Sequence, residues 1–171
     1  MYFTDYAIRL IAEHATLAFE PGAIELGPQI NPTKLPGSPP WNMDWAIRFP
    51  DGKQAYLYER WFPARSPSRG ATLMGQRRAF SFHYGTTVPK MRRNGFPARD
   101  KTNHPAIIRI DLSDQYGPHL HFHSELPHIS QSKVNGMTIE SISPFDFVRA
   151  VIEHRKSGTD FDAIMKFTVV P

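Results

Sequence analysis

The fold is decided by residues 41–62, which read WNMDWAIRFPDGKQAYLYERWF. Up to Phe49, large apolar residues alternate with polar or small ones, which is the period of a β-strand with two different faces. A Pro-Asp-Gly-Lys turn follows at 50–53, and an aromatic-rich run returns over 55–62. Asp-Gly between two such runs is typical of a hairpin. The stretch therefore predicts two antiparallel strands joined by a tight turn.

Three more strands are predicted downstream of this hairpin. Residues 77–84, 105–112 and 117–125 each alternate between apolar and other residues, as a strand with one buried face does. In the first of them Phe80, Phe82 and Tyr84 share one face, and the intervening residues share the other. Together with the hairpin, these runs predict an antiparallel sheet of about five strands.

Helical patterns are found near both ends of the chain. Apolar residues recur at intervals of three and four over 4–19 and over 144–156. Ser143 and Asp146 form a capping box around Pro144 at the second start, and Gly158 predicts its end. Residues 160–170 fit either a short helix or a strand. We therefore expect an α+β fold in which an N-terminal and a C-terminal helix cover one face of the antiparallel sheet.

Length and composition predict one domain in a reducing compartment. The 171 residues have the size of a single domain, residues 1–171, and the absence of cysteine excludes disulfides and thiolate metal sites. No apolar run is long enough to cross a bilayer, so we expect a cytoplasmic protein without membrane contact. Pro and Gly are dense over 27–40, which we interpret as a linker or an arm on the surface.

Positive charge is concentrated in the middle third of the chain. The net charge is +4, and no acidic residue occurs between Arg60 and Asp100. This segment contains two predicted basic loops, at 63–76 and 85–104. Such a block of charge favours contact with phosphate groups, although a solvated loop has the same composition. The candidate phosphate ligands are Arg77, Arg78, Arg92, Arg93 and Arg109.

The residues that point to chemistry lie in the last predicted strand, GPHLHFHSE at 117–125. Side chains alternate between faces along a strand, so Leu120 and Phe122 face the core. We expect His119, His121 and His123 to project side by side toward solvent on the other face, with Glu125 in the same row and His128 close behind. Three imidazoles in strict alternation are unusual for a strand that merely tolerates histidine.

Imidazole titrates near neutral pH, so two histidines can act as base and acid in one reaction. Cleavage of RNA needs such a pair, together with a cation that stabilises the extra charge on phosphorus. We predict His119, His121 and His123 as the catalytic residues, with His83 and Tyr84 completing the site if their strand lies beside the histidine strand. No cofactor is needed for this reaction.

Metal binding is the alternative use of the same residues. Imidazole and carboxylate ligands suit divalent transition metals. His119, His121 and Glu125 match the His-x-His-x-x-x-Glu part of a cupin signature, but the glycines around them do not fit it. A third interpretation is a module without catalysis, in which the basic loops bind nucleic acid or a protein partner.

The chain resembles the TumE-like toxins of prokaryotic toxin–antitoxin pairs over roughly residues 42 to 157. Three motifs carry the resemblance: Phe-His-Tyr at 82–84, Ile-Ile-Arg-Ile-Asp at 107–111, and Pro-His-x-His-x-His at 118–123, before a helix with a Ser-Pro start. The family usually has a denser Pro-His-His pattern. The resemblance implies a small cytoplasmic toxin that acts on RNA. It also implies neutralisation by a cognate antitoxin, usually a helix-turn-helix protein.

Overall fold

The structure is a computed structural model that describes residues 3–32, 41–63, 75–86, 106–113, 115–122 and 129–170. Its helices are α1 (Phe3–His14), α2 (Pro144–Ser157) and α3 (Phe161–Met165), with 3₁₀ turns at Gln131–Lys133 and Ile139–Ser141. Its strands are β1 (Ile24–Pro32), β2 (Trp41–Arg48), β3 (Gln54–Pro63), β4 (Gly75–Gly85), β5 (Ala106–Ser113), β6 (Gly117–Phe122), β7 (Ile129–Ser130), β8 (Val134–Asn135) and β9 (Thr168–Val169).

Strands β1 to β7 form one antiparallel sheet in which the spatial order equals the order along the chain. Each strand therefore pairs with its sequence neighbours, as expected for strands joined by hairpin connections. The predicted α+β class with an antiparallel sheet is confirmed. The number of strands is seven rather than about five, because the short β7 and the proline-containing β1 extend the sheet at its two edges. Strands β8 and β9 form a separate pair.

The hairpin at 41–62 has the predicted form. Register runs without a shift from Trp41 opposite Trp61 to Arg48 opposite Gln54. The turn is closed by the Phe49 amide, which donates to the Lys53 carbonyl at 2.9 Å. Gly52 has a φ of +81°, a conformation in which glycine is favoured because it has no Cβ. Local sequence therefore determines this part of the sheet.

Strand β1 contradicts part of the prediction that residues 27–40 are a linker or a surface arm. Residues 27–32 belong to the sheet, although the Pro and Gly content of 27–40 argued against a strand; residues 33–40 lie outside the described part of the chain. The ladder to β2 is interrupted between Leu26 and Gln29 and then resumes opposite Asp44. An edge strand tolerates proline at such an irregularity, because only one of its sides needs hydrogen-bond donors.

One face of the sheet is apolar and carries the helices. Five fully buried side chains follow one another across strands β2 to β6 in the register: Trp45, Leu57, Phe82, Ile110 and Leu120. The helices contact this face through aromatic side chains. Phe145 of α2 packs on Trp45, Phe147 of α2 packs on Phe82, and Tyr6 of α1 packs on Trp61, with ring centroids at 5.5, 5.7 and 4.5 Å. Both predicted helices therefore contact the same face.

The helix ends compare differently with the prediction. Helix α2 begins with the predicted capping box, in which Ser143 accepts from the Asp146 amide, and ends at Gly158 in the left-handed conformation. Helix α1 ends at His14 instead of Phe19. Phe19 packs against the core from the segment after the helix, so its helical spacing was misleading. Residues 160–170 form both of the alternatives, α3 and then β9.

The predicted basic loops lie mostly outside the described residues. Pro63 is the last residue of β3, and Gly75 and Gly85 bound β4, so 64–74 and 87–105 are the parts not described. Among the described helices, none combines the length and the apolar character that a membrane crossing requires.

Candidate functional site

The second face of the sheet carries polar side chains, and we call it the polar face. Two cross-strand rows define it. The first row runs from β2 to β7 through Asp44, Tyr58, Ser81, Asp111, His119 and Ser130. The second runs from β2 to β6 through Ala46, Tyr56, His83, Arg109 and His121. Each row arises because side chains alternate along a strand and the antiparallel register brings equivalent positions together.

Basic side chains converge on one carboxylate oxygen at the β5–β6 pair. Oδ2 of Asp111 lies 2.7 Å from Nε of Arg109, 3.5 Å from Nε2 of His119 and 3.9 Å from Nε2 of His121. Asp111 is directly opposite His119, and Arg109 is opposite His121. Asp111 is only 3% exposed. A buried carboxylate requires such partners, because an ionised group without them is strongly destabilised away from water.

His119 is fixed from both sides of its ring. Nδ1 lies 2.9 Å from the carbonyl of Gly117, which only accepts hydrogen bonds, so Nδ1 carries a proton and Nε2 faces Asp111. The ring also meets the rings of Tyr116 and His121 edge to face, at centroid distances of 5.9 and 5.4 Å. His119 is 4% exposed. The expectation that this histidine projects toward solvent is therefore wrong.

Ionisation of this pair follows from two opposing effects. Burial raises the pKa of Asp111, but the adjacent imidazole of His119 and the charge of Arg109 lower it, and the net pKa lies below the usual range. Burial lowers the pKa of His119, whereas the adjacent carboxylate of Asp111 and the hydrogen bond to the Gly117 carbonyl raise it, and the net pKa is raised. The pair therefore favours an imidazolium beside a carboxylate.

The stabilising effect of the His119–Asp111 pair is expected to decrease from pH 6 to pH 9. Because the pKa of His119 is higher in the folded than in the unfolded protein, protonated His119 stabilises the fold. This stabilisation is complete below the unfolded pKa of about 6.5, and it is lost as the pH rises through the pKa of the folded protein. The lowered pKa of Asp111 means that its ionised form stabilises the fold above a pH of about 3.9, and this stabilisation is lost in acid. Urea unfolding of the wild type and of His119→Gln, with a chelator present, measures the difference in free energy. A difference that is constant or grows from pH 6 to pH 9 contradicts the assignment.

Other predicted site residues join this cluster with more exposure. Arg109 has its Nε buried against Asp111, yet 41% of its side chain is exposed. The His121 side chain is 23% exposed. His83 is half-buried on β4, with its Nε2 buried, and is the cross-strand neighbour of Arg109. Strand β5 lies between β4 and β6, so the strand of His83 does not lie beside the histidine strand as expected, and His83 reaches the site only on the far side of Arg109 from His121. The second row therefore places Arg109 between two histidines.

Two predicted site residues lie on the opposite face. Tyr84 alternates with His83 along β4, so its side chain lies on the apolar face and is buried in the core. There its hydroxyl accepts a hydrogen bond from Arg155 at 2.9 Å. Arg77 donates to Glu59 at 2.8 Å on the apolar side, since the irregularity in β4 between the partners of Arg60 and Trp61 shifts its orientation. The prediction that Tyr84 and Arg77 belong to the same site is therefore wrong, because neither lies in the cluster around Asp111.

The remaining predicted residues are outside what the structure describes. These are Arg92, Arg93, His123, Glu125 and His128, together with the side chain of Arg78. Strand β6 ends at Phe122. The predictions for these residues stay predictions.

Asp111 is the central residue that sequence reasoning missed. The candidate site residues predicted from the sequence are histidines, arginines, Tyr84 and Glu125, and they do not include Asp111. The signal was present in its alternation with Ile110, which puts Asp111 on the same side of β5 as Arg109. Only the register of β5 against β6 turns that position into a contact with His119.

Comparisons with known proteins identify no relative of this chain. No family model matches it, and no curated protein or solved structure is significantly similar. The resemblance to TumE-like toxins therefore rests on the short motifs alone, and the function has to be inferred from the chemistry of the polar face.

Proposed function

We propose that this protein is a ribonuclease that cleaves RNA by histidine acid/base catalysis, without a metal ion. The observation that carries the proposal is the position of Arg109, which is fixed by Asp111 and flanked by His121 and His83 in one cross-strand row. A cation between two imidazoles, one acting as base and the other as acid, is what this reaction requires. The basic middle third of the sequence supports an RNA substrate.

The reaction is a transfer of phosphorus from one ribose oxygen to another. One histidine takes the proton of the 2′-hydroxyl, and the 2′-oxygen forms a bond to phosphorus. The bond from phosphorus to the 5′-oxygen breaks as the second histidine, in its protonated form, gives that oxygen a proton. The products are a 2′,3′-cyclic phosphate and a free 5′-hydroxyl. No other reactant is consumed.

The described residues support distinct roles in this step. Neighbouring strands lie about 4.8 Å apart, so the backbones at His121 and His83 are separated by roughly 10 Å, with Arg109 midway. This spacing leaves room for a phosphate over Arg109. The exposed part of the Arg109 guanidinium offers N–H donors to the phosphate oxygens, and a guanidinium group typically binds two such oxygens at once. His119 is buried and acts through Asp111, so we assign it as a positioning residue.

A divalent metal site is the second candidate, because a specific geometry favours it. One ligand atom from each of Asp111, His119 and His121 lies within 4.8 Å of the others. Two histidines and a carboxylate are a known ligand set for transition metals, and a ligating histidine usually donates its other ring N–H to a carbonyl, as His119 does to Gly117. In this set Asp111 replaces the predicted Glu125. Arg109 competes with a metal for Oδ2 of Asp111, which is why we rank acid/base catalysis first.

One experiment separates the two candidates. Purified protein is incubated with RNA in excess EDTA, the ends of the products are analysed, and the metal content of the protein is measured. We expect cleavage that EDTA does not inhibit, with 2′,3′-cyclic phosphate ends. Activity that disappears in EDTA, in a protein that carries stoichiometric metal, would support the metal site instead. Absence of cleavage both with and without EDTA contradicts the proposal that the protein is a ribonuclease.

As the TumE-like resemblance implies, we expect an antitoxin to hold such an enzyme inactive.

A further inference from the structure

Two tyrosines lie side by side on the polar face, two strands away from Arg109. Tyr56 belongs to the same cross-strand row as Arg109, and Tyr58 belongs to the row of Asp111. Both are half-buried. The proposed acid/base reaction uses neither of them.

Hydroxyl contacts hold both rings across the neighbouring strand. The Tyr56 hydroxyl donates to Oδ1 of Asp44 at 2.8 Å, and the Tyr58 hydroxyl donates to Oδ1 of Asn42 at 2.9 Å. Both acceptors are on β2, each displaced in the same direction from the residue directly opposite the tyrosine. Side chains normally stand roughly perpendicular to a sheet. Because their hydroxyls are bound on β2, the rings of Tyr56 and Tyr58 instead lean over that strand, along the surface of the sheet.

The charges around the tyrosines suit a polyanion. Arg60 follows Tyr58 on the same face of β3 and is exposed, and Arg48 lies at the other end of the pair on β2. The acidic residue at this location, Asp44, is buried and accepts from Tyr56. Alternating cations and aromatic rings are typical of surfaces that bind single-stranded nucleic acid.

We propose that Tyr56 and Tyr58 form a base-stacking subsite that makes unpaired RNA the substrate. This inference rests on the proposed ribonuclease function and extends it to substrate choice. Bases of a single strand have free faces that stack on aromatic side chains, whereas bases inside a duplex are already stacked on both sides. The tyrosines therefore discriminate between the two forms without reading the sequence.

The geometry links the subsite to the reaction centre. Tyr56 and Arg109 are two strands apart, which is about 10 Å at the usual strand spacing. A stacked strand advances by about 3.4 Å per nucleotide, so roughly three nucleotides bridge the distance. A phosphate at Arg109 thus has bases of the same strand over Tyr56 and Tyr58.

The test measures binding with an RNA that the proposed reaction does not cleave. An unstructured RNA of about 12 nucleotides carries 2′-O-methyl groups, and its complement provides the matching duplex. We expect the wild type to bind the single strand more tightly than the duplex. Tyr58→Ala is expected to raise the Kd for the single strand by about 5- to 100-fold, as loss of one stacked base predicts, whereas Tyr58→Phe keeps the ring and most of the affinity.

Two controls make the test specific for stacking. Ile8→Ala changes a residue that is 66% exposed on α1 and should leave the Kd unchanged. An abasic version of the same oligomer should bind the wild type and Tyr58→Ala equally. Equal binding of strand and duplex, or a Kd that Tyr58→Ala leaves unchanged, overturns the subsite even if RNA is cleaved. A large effect of Tyr58→Ala in a protein that cleaves no RNA supports the subsite and removes only the ribonuclease.

Discussion

Replacing His121 by alanine is expected to lower the rate of RNA cleavage by about 10²- to 10⁴-fold, the usual contribution of one acid or base. His121 is the more exposed of the two described histidines around Asp111, and its Nε2 lies 3.9 Å from Oδ2 of that residue. It is also the cross-strand neighbour of Arg109, where the phosphate is proposed to bind. Steady-state kinetics with a short RNA measure the loss, which should occur mainly in kcat.

A matched histidine provides the control for this variant. His14 pairs with Glu25 at 2.8 Å on the helix side of the molecule, so His14→Ala removes an imidazole without touching the polar face. Its cleavage rate should stay within about twofold of the wild type, as expected for a residue with no part in proton transfer. Thermal unfolding of both variants checks that they fold. A folded His121→Ala protein that retains wild-type kcat excludes His121 as the acid or base.

The largest effect on stability is expected for Glu59→Ala, at about 3–5 kcal/mol of unfolding free energy. Glu59 is fully buried under α1. It accepts hydrogen bonds from the hydroxyl of Tyr6, from Nε1 of Trp61 at 3.1 Å and from Nη1 of Arg77 at 2.8 Å. Arg77 is only 14% exposed and also donates to the Ile142 carbonyl at 2.7 Å. Removing the carboxylate leaves this guanidinium buried without its counter-charge.

Two comparisons isolate the buried charge from the lost packing. Glu13→Ala removes an acidic residue whose ion pairs with Arg9 and Arg149 are exposed, and such pairs contribute about 1 kcal/mol or less. The double variant Glu59→Leu, Arg77→Met removes both buried charges and should be much less unstable than Glu59→Ala. Urea unfolding gives the three free energies. A loss for Glu59→Ala no larger than that for Glu13→Ala contradicts this account.

The hairpin of β2 and β3 and the start of α2 were predictable because local residues specify them. An Asp-Gly turn sets the register of its own two strands, and the Ser143–Asp146 capping box fixes a helix start within one turn. Period-two alternation also assigned Ile110 and Leu120 to the core correctly. These features depend on contacts between residues that are close in sequence, so the sequence alone carries the information.

Long-range contacts decided the remaining features. Strand β1 exists despite its two prolines because β2 offers it an edge, and Glu59 is buried because α1 and Arg77 supply its partners. Likewise Asp111 becomes the centre of the candidate site only when β5 and β6 pair in one register, which also buries His119. A shift by one residue would turn either side chain to the other face. Alternation along a strand determines which residues share a face, but the register between strands and the burial around them arise only when the chain has packed.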